Sequence, residues 1–291
     1  MPDKTLNLGI PTGSLQKATV ELFNKAGFHI AETERGYAPR IDDEQIQPIY
    51  LRAQEMSRYV ADGALDAGIT GYDWITENGS DVVQVAELAY SKTSNKPTRW
   101  VLAVPNESKV KKPEDLRDAL IATELVNVTK KYFADKNIDV KIEFSWGATE
   151  AKARLLDAIV ELTETGSSLK ANNLRIIDTV LTSTPRFIAN KKAWQDNFKR
   201  EKIENISILL NAAIDARSRV GLKMNVRKSD LEKVLKLLPA EKSATISSLA
   251  DSDYMAIEVV VEDKVERTLV PALKRAGASG IITYPLNKVI H

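Results

Sequence analysis

From Leu6 to about Ile188, short apolar runs alternate with helically spaced stretches, and this alternation narrows the fold before any chemistry is considered. Leu6–Ile10, Pro48–Arg52, Ala67–Thr70, Trp100–Pro105 and Leu120–Thr123 read as strands, and Ile138, Val140, Ile142 and Phe144 alternate with period two. Between the first two strands, Leu15, Ala18, Thr19, Leu22, Phe23 and Ala26 form one helical stripe that Gly27 is suited to stop. Strands interleaved with helices predict an α/β fold with largely parallel sheets. A single sheet would be large for 291 residues, so two lobes with a cleft between them are expected. A helix is predicted from Ala193 to about Arg217, and after Ser218 the order becomes βαββαβ, the ferredoxin-like plan. The expected division is 1–95 with 180–214 as one lobe, 96–179 as the second, and 215–291 as a terminal module.

Three local helix starts are also predicted. Asp73 is placed to cap the helix after Ala67–Gly71, Asn127 the helix that runs to Lys136, and Ser229 to Glu232 reads as a capping box.

Composition excludes several chemistries. There is no Cys, and the only histidines are His29 and His291, so a thiolate nucleophile, a His-based triad and a zinc site are all disfavoured. A metal, if used, should be a hard, oxygen-liganded ion such as Mg²⁺. A net charge of +1 gives no electrostatic reason to expect nucleic acid or an anionic membrane as partner. No leader pattern or bilayer-length apolar run is present, so a cytoplasmic location is expected.

Ligands of open α/β sheets sit beyond the carboxyl ends of the strands, and the turns at Gly13, Thr70, Gly147 and Gly166 fall there. The most informative of these is Asp157–Leu169, DAIVELTETGSSL. Asp157 and Glu161 would share one strand face, and Thr165-Gly166-Ser167-Ser168 would turn free amides toward a common point before the next helix. That pairing suits a sugar phosphate, with amides on the phosphate and a carboxylate on ribose hydroxyls. A strand, a turn and a capped helix with solvated acids is the plainer alternative.

Several stretches in one order, GSLQKATVELFNKAGF, YLRAQEMSRYVADGALDAGITGYD, VLAVP, IATELVNVTKKYF, GATEAKARLLDAIVELTETGSSLKANNL and STPRFIAN, resemble the ATP phosphoribosyltransferase family, which opens histidine biosynthesis. The resemblance spans essentially the whole chain. It implies two periplasmic-binding-protein-like lobes, a ferredoxin-like (ACT-like) regulatory domain, and a dimer–hexamer assembly. It implies attack of ATP through adenine N1 on phosphoribosyl pyrophosphate, with Mg²⁺ required and histidine as feedback inhibitor. Its motifs assign Ala158, Ile159, Glu161, Glu164, Thr165, Gly166, Ser167, Ser168 and Leu169 to phosphoribosyl pyrophosphate, with Thr165–Leu169 as the 5′-phosphate loop. Asp157 joins Glu161 as an acid near the ribose. Gly13, Ser14, Thr70, Gly71, Asp73, Gly147 and Arg154 are further substrate positions, and Arg52, Arg99 and Glu150 join Asp157 as catalytic candidates. Ser248, Leu249, Asp251, Asp253 and Ser279 are the candidate effector contacts. Thr12-Gly13-Ser14 stands where many members carry Lys-Gly-Arg, so two cations are missing, and Arg35, Arg40 and Arg99 are the candidates to replace them.

Two rival readings remain at this level. A two-lobed solute receptor fits the lobes, but the missing export pattern and the added βαββαβ module count against it. Another phosphoribosyltransferase, with a different base as acceptor, fits the phosphate loop equally well.

Overall fold

The computed structural model describes residues 4–31, 38–90, 97–239 and 244–291. It divides into two compact units, residues 1–207 and 208–291. The first unit contains two five-stranded sheets. One lobe begins with β1 (Leu6–Thr12), α1 (Gln16–Ala26), the short pair β2 (Ile30–Ala31) and β3 (Arg40–Ile41), and β4 (Ile46–Arg52). It continues through α2 (Ala53–Ala61), β5 (Ala67–Gly71), α3 (Tyr72–Asn78) and β6 (Val83–Glu87). The second lobe runs through β7 (Thr98–Pro105), β8 (Leu120–Thr123), α4 (Val126–Asp135), β9 (Lys141–Phe144) and α5 (Thr149–Lys152). It ends with β10 (Ala158–Thr163), α6 (Ser167–Ala171) and β11 (Leu174–Ser183). The chain then returns to the first sheet as β12 (Pro185–Ala189), followed by α7 (Lys191–Gln195) and α8 (Asn197–Ala216).

The two sheets share one plan. The first is ordered β4-β1-β5-β12-β6 and the second, read from its far edge, β9-β8-β10-β7-β11. In each, three neighbouring strands are parallel, and the reversed strand is the one arriving from the other lobe, β12 or β7. This double crossover is the periplasmic-binding-protein arrangement. It repeats in topology although the sequence carries no internal repeat. Central strands are buried on both faces, as parallel sheets require: every residue of β5 is buried, as are Val101, Leu102, Ala103, Ala158, Ile159 and Val160.

The crossing segments run side by side. Thr98 lies opposite Ser183, the Thr98 hydroxyl donates to the Ser183 carbonyl at 3.2 Å, and Leu88 N donates to the Pro185 carbonyl at 2.8 Å. Two further ties join the lobes. Trp100 Nε1 donates to Asp73 Oδ2 at 2.7 Å, and the Glu77 carboxylate accepts from the amides of Asn127 and Val128, both at 2.9 Å.

The second unit contains β13 (Arg219–Arg227), α9 (Leu231–Leu235), β14 (Thr245–Ser248), β15 (Tyr254–Glu262), α10 (Asp263–Arg275) and β16 (Ser279–Pro285). Its antiparallel sheet, ordered β14-β15-β13-β16, is the ferredoxin-like βαββαβ module. Leu222, Met224, Val226, Val234, Ile257 and Leu273 form its core.

Local expectations fail where a partner distant in sequence takes over. The long helix from Ala193 is two helices, because Asp196 adopts extended backbone (ψ 120°) between α7 and α8. Asp73 does not cap α3: Gly71 holds that position, and Asp73 lies inside the first turn with its carboxylate turned to Trp100. Asn127 does not cap α4 either, since Glu77 from the other lobe serves its free amides. The Ser229–Glu232 capping box is replaced by a 3₁₀ turn, Lys228–Asp230, with no side-chain cap on α9.

Candidate active site

Between the lobes of the first unit lies a cleft of about 530 Å³. Strand register brings its parts together. Arg52 ends β4 directly opposite Thr12 of β1, so its side chain stands beside the Gly13–Leu15 turn. Gly13, Ser14, Arg52, Gly71, Asp73, Glu161 and Glu164 line the cleft, joined by Leu15, Gln54, Trp74, Tyr90, Trp100, Glu124 and Thr163. Gly71 is constrained sterically, because a Cβ there would stand 1.9 Å from Asp73 Oδ1.

The phosphate bend follows β10. Gly166 has φ of 80°, its amide donates to Thr163 Oγ1 at 2.7 Å, and Thr165 Oγ1 donates to Ser167 Oγ at 3.0 Å. The next amides, those of Ser168 and Leu169, open α6 in the orientation that leaves first-turn donors available to an anion. An added Cβ on Gly166 would meet only Ile176, at 3.7 Å. The Leu169 side chain is buried in the sheet core and anchors the helix, so only its backbone amide faces the bend's opening turn. Glu150 comes to the bend from α5, where its carboxylate accepts from Ser168 Oγ at 2.6 Å. Gly147 (φ 101°) and Ala148 (φ 51°) turn the chain sharply into α5. Lys152, which sequence reasoning passed over, donates to Ser145 Oγ at 3.0 Å, and Ser145 in turn bonds Thr149 at 2.9 Å.

Glu161 is the perturbed acid of the cleft. Burial pushes its carboxyl up to about 7; hydrogen bonds from Thr149 and the Leu162 amide pull it down, and Glu150 and Glu124 push it further up. Glu124 is likewise raised, first by burial and then by Asp73, against a hydrogen bond with Gln54 and the charge of Arg52. Nothing in the strand pattern singled out Glu124; its only signal was its place directly after an apolar strand. Asp73 is raised by burial against its hydrogen bonds from Trp100, Ser183 and Trp74.

Other expected residues do not reach the cleft. Asp157 precedes β10 at the opposite end of the strand, about 23 Å from Glu164 at 3.3 Å per residue, and its Oδ2 accepts from the Leu120 amide at 2.8 Å. Ala158 and Ile159 are fully buried strand residues. Thr70 is buried, its hydroxyl donating to the Ala53 carbonyl at 2.6 Å. Arg154 lies beyond the end of α5 and is exposed. Of the cations weighed as replacements, Arg35 lies outside the described residues and Arg40 lines a separate hollow with Asp43 and Glu44. Arg99 pairs with Thr163 across β7 and β10, on the face shared with Glu161, but does not itself line the cleft.

The Asp73–Trp100 tie makes a measurable prediction. Trp100→Phe removes the donor from a buried carboxylate, a loss of about 2–3 kcal/mol. The unfolding midpoint in a thermal or urea melt should fall with the folded circular-dichroism spectrum unchanged, and an unmoved midpoint would show that the tie carries no weight.

An interlobe cleft floored by strand ends, with a glycine bend following an acid-bearing strand, defines a two-lobed protein that holds a small molecule between its lobes. The family model for ATP phosphoribosyltransferase matches residues 52–212, and the model for the HisG C-terminal domain matches residues 216–288. An ATP phosphoribosyltransferase of Chlorobaculum parvum is 55% identical over 289 residues, covering 99% of this chain and 98% of its own. One from Thermodesulfovibrio yellowstonii is 55% identical over 291 residues and the full length of both. Among solved structures, the ATP phosphoribosyl transferase (HisG:HisZ) complex from Thermotoga maritima aligns with a TM-score of 0.62 at 28% identity, covering 74% of this chain and all of that one. The chain belongs to the ATP phosphoribosyltransferase family.

Proposed function

We propose that this cleft joins ATP to phosphoribosyl pyrophosphate, with the 165–169 bend gripping the 5′-phosphate and Glu161 holding the ribose hydroxyls. The glycine bend at positive φ, directly after the cleft-lining Thr163 and Glu164 and following the strand that carries the raised Glu161 carboxyl, is the observation that supports this reading best. Adenine N1 displaces pyrophosphate at C1, and no covalent nucleophile is needed in a chain without Cys. Orientation supplies much of the acceleration, and Arg52 faces the charge that grows on the leaving pyrophosphate. Arg99, behind Thr163, reinforces the same field. Leu15, Trp74 and Tyr90 offer the purine an apolar wall. Glu150 orients the bend through Ser168.

Among the described residues, no three acids or imidazoles cluster closely enough to cage a metal. The described residues therefore offer no such cage to the Mg²⁺ that the resemblance implies. Mixing protein, ATP, phosphoribosyl pyrophosphate and Mg²⁺ and following the ultraviolet absorbance of N1-alkylated adenine tests the reading. Turnover supports it; turnover only with a free base would assign a different acceptor.

Histidine inhibition through the second unit is part of the same proposal, as are a homo-oligomeric state and a cytoplasmic setting. No helix of the described residues is long and apolar enough to cross a membrane. Ser248, Asp251, Asp253 and Ser279 gather at one end of the sheet, because Ser248 pairs with Met255, Arg227 with Tyr254, and Ser279 with Asn225; Leu249 follows β14 in the same loop. Removing residues 218–291 is expected to leave turnover that histidine no longer inhibits. Undiminished inhibition would put the effector site in the first unit.

A further inference from the structure

Glu124 has no role in the scheme above, although it lines the cleft and sits beside the ribose acid. Parallel register pairs Thr123 with Val160, so Glu124 and Glu161 follow as neighbours at the carboxyl ends of β8 and β10. Across the cleft, Gln54 hydrogen-bonds the Glu124 carboxylate, and Arg52 and Asp73 act on it through their charges. A carboxylate in a site that admits two polyanions is repelled by every phosphate. On the substrates' organic parts, its favourable partners are groups that donate a hydrogen bond. Taken with the function proposed above, those donors are the sugar hydroxyls and the adenine 6-amino group, and Glu161 already serves the sugar that carries C1.

We propose that Glu124 is the acid that receives the 6-amino group of the attacking adenine and accepts its proton during transfer. The N1 lone pair forms the bond to C1, and the C1–O bond breaks with its electron pair leaving on pyrophosphate. The adenine thereby gains a positive charge spread over N1, C6 and N6. Loss of an N6 proton to the Glu124 carboxylate neutralises it, and the carboxyl returns that proton to solvent. Burial raises the Glu124 carboxyl above its ordinary value, which makes its carboxylate a better proton acceptor than an exposed acid. Gln54, held to the same carboxylate, fixes its orientation from the facing lobe.

The test uses the full chain carrying Glu124→Gln, which keeps the shape of the side chain and an acceptor for the amine but cannot take the proton. The kcat should fall about 100-fold, the lower range for a lost general base, with the KM for phosphoribosyl pyrophosphate unchanged. Glu124→Asp should recover part of the loss, and added formate should restore turnover to Glu124→Ala. Wild-type kcat in Glu124→Gln would overturn the proposal. So would a loss confined to the KM for phosphoribosyl pyrophosphate, which would place Glu124 on that substrate. A wild-type enzyme as slow with 2′-deoxy-ATP as Glu124→Gln is with ATP would move Glu124 to the nucleotide's own ribose and also overturn it. Absence of any ATP-dependent turnover in the unaltered protein would instead defeat the function proposed above.

Discussion

Gly166→Asp is expected to lower kcat/KM by roughly 100- to 1,000-fold while leaving the protein folded. Like charges forced together in a binding site cost several kcal/mol, and each 1.36 kcal/mol is tenfold in rate. Gly166 has φ of 80°, a region that Asp enters more readily than most residues, and its Cβ would meet only Ile176 at 3.7 Å. The lost activity would therefore come from the new carboxylate facing the 5′-phosphate and not from a collapsed bend. Steady-state kinetics with a thermal melt separates the two. Undisturbed phosphoribosyl pyrophosphate binding by calorimetry would remove the bend from the site.

Glu161→Gln should move activity and stability in opposite directions. Losing the charged acceptor for the ribose hydroxyls is expected to cost about 2–3 kcal/mol, or roughly 100-fold in kcat/KM. The free protein should gain stability at alkaline pH. The folded state raises Glu161 from 4.5 to about 7, so this group's favourable contribution is complete below 4.5 and is lost as pH climbs through about 7. The neutral amide escapes that loss. At pH 8 the variant should be more stable by about 1–2 kcal/mol after allowance for partial solvent access, and the advantage should vanish near pH 4. Urea melts at the two pH values check this; a pH-independent difference would mean that the carboxyl is not raised by its surroundings.

Both variants probe features that were legible in the chain before folding, because the signals there are local. The bend needs a glycine at positive φ and small hydroxyl residues within four positions, and the alternation of β10 sets which acid follows it. The two-lobe architecture was likewise legible, since strand–helix alternation is a short-range pattern. What escaped depends on contacts between residues far apart in sequence. Asp73 has the composition of a helix cap, yet Trp100 of the other lobe captures its carboxylate. Asn127 gives way to Glu77 for the same reason. Asp157 shares a strand periodicity with Glu161, but periodicity records faces and not ends, and the Leu120 amide holds it at the far end of β10. Glu124 was invisible because only the pairing of β8 with β10 sets it beside Glu161.

The central claim, that backbone amides after β10 grip the sugar's phosphate, is most directly tested by amide NMR of ¹⁵N-labelled protein titrated with ribose 5-phosphate. The amides of Gly166, Ser167, Ser168 and Leu169 should shift together with one dissociation constant, and the shifts should disappear in Gly166→Asp. Shifts confined to the Gly13–Leu15 turn, with the 165–169 amides unmoved at saturation, would contradict it.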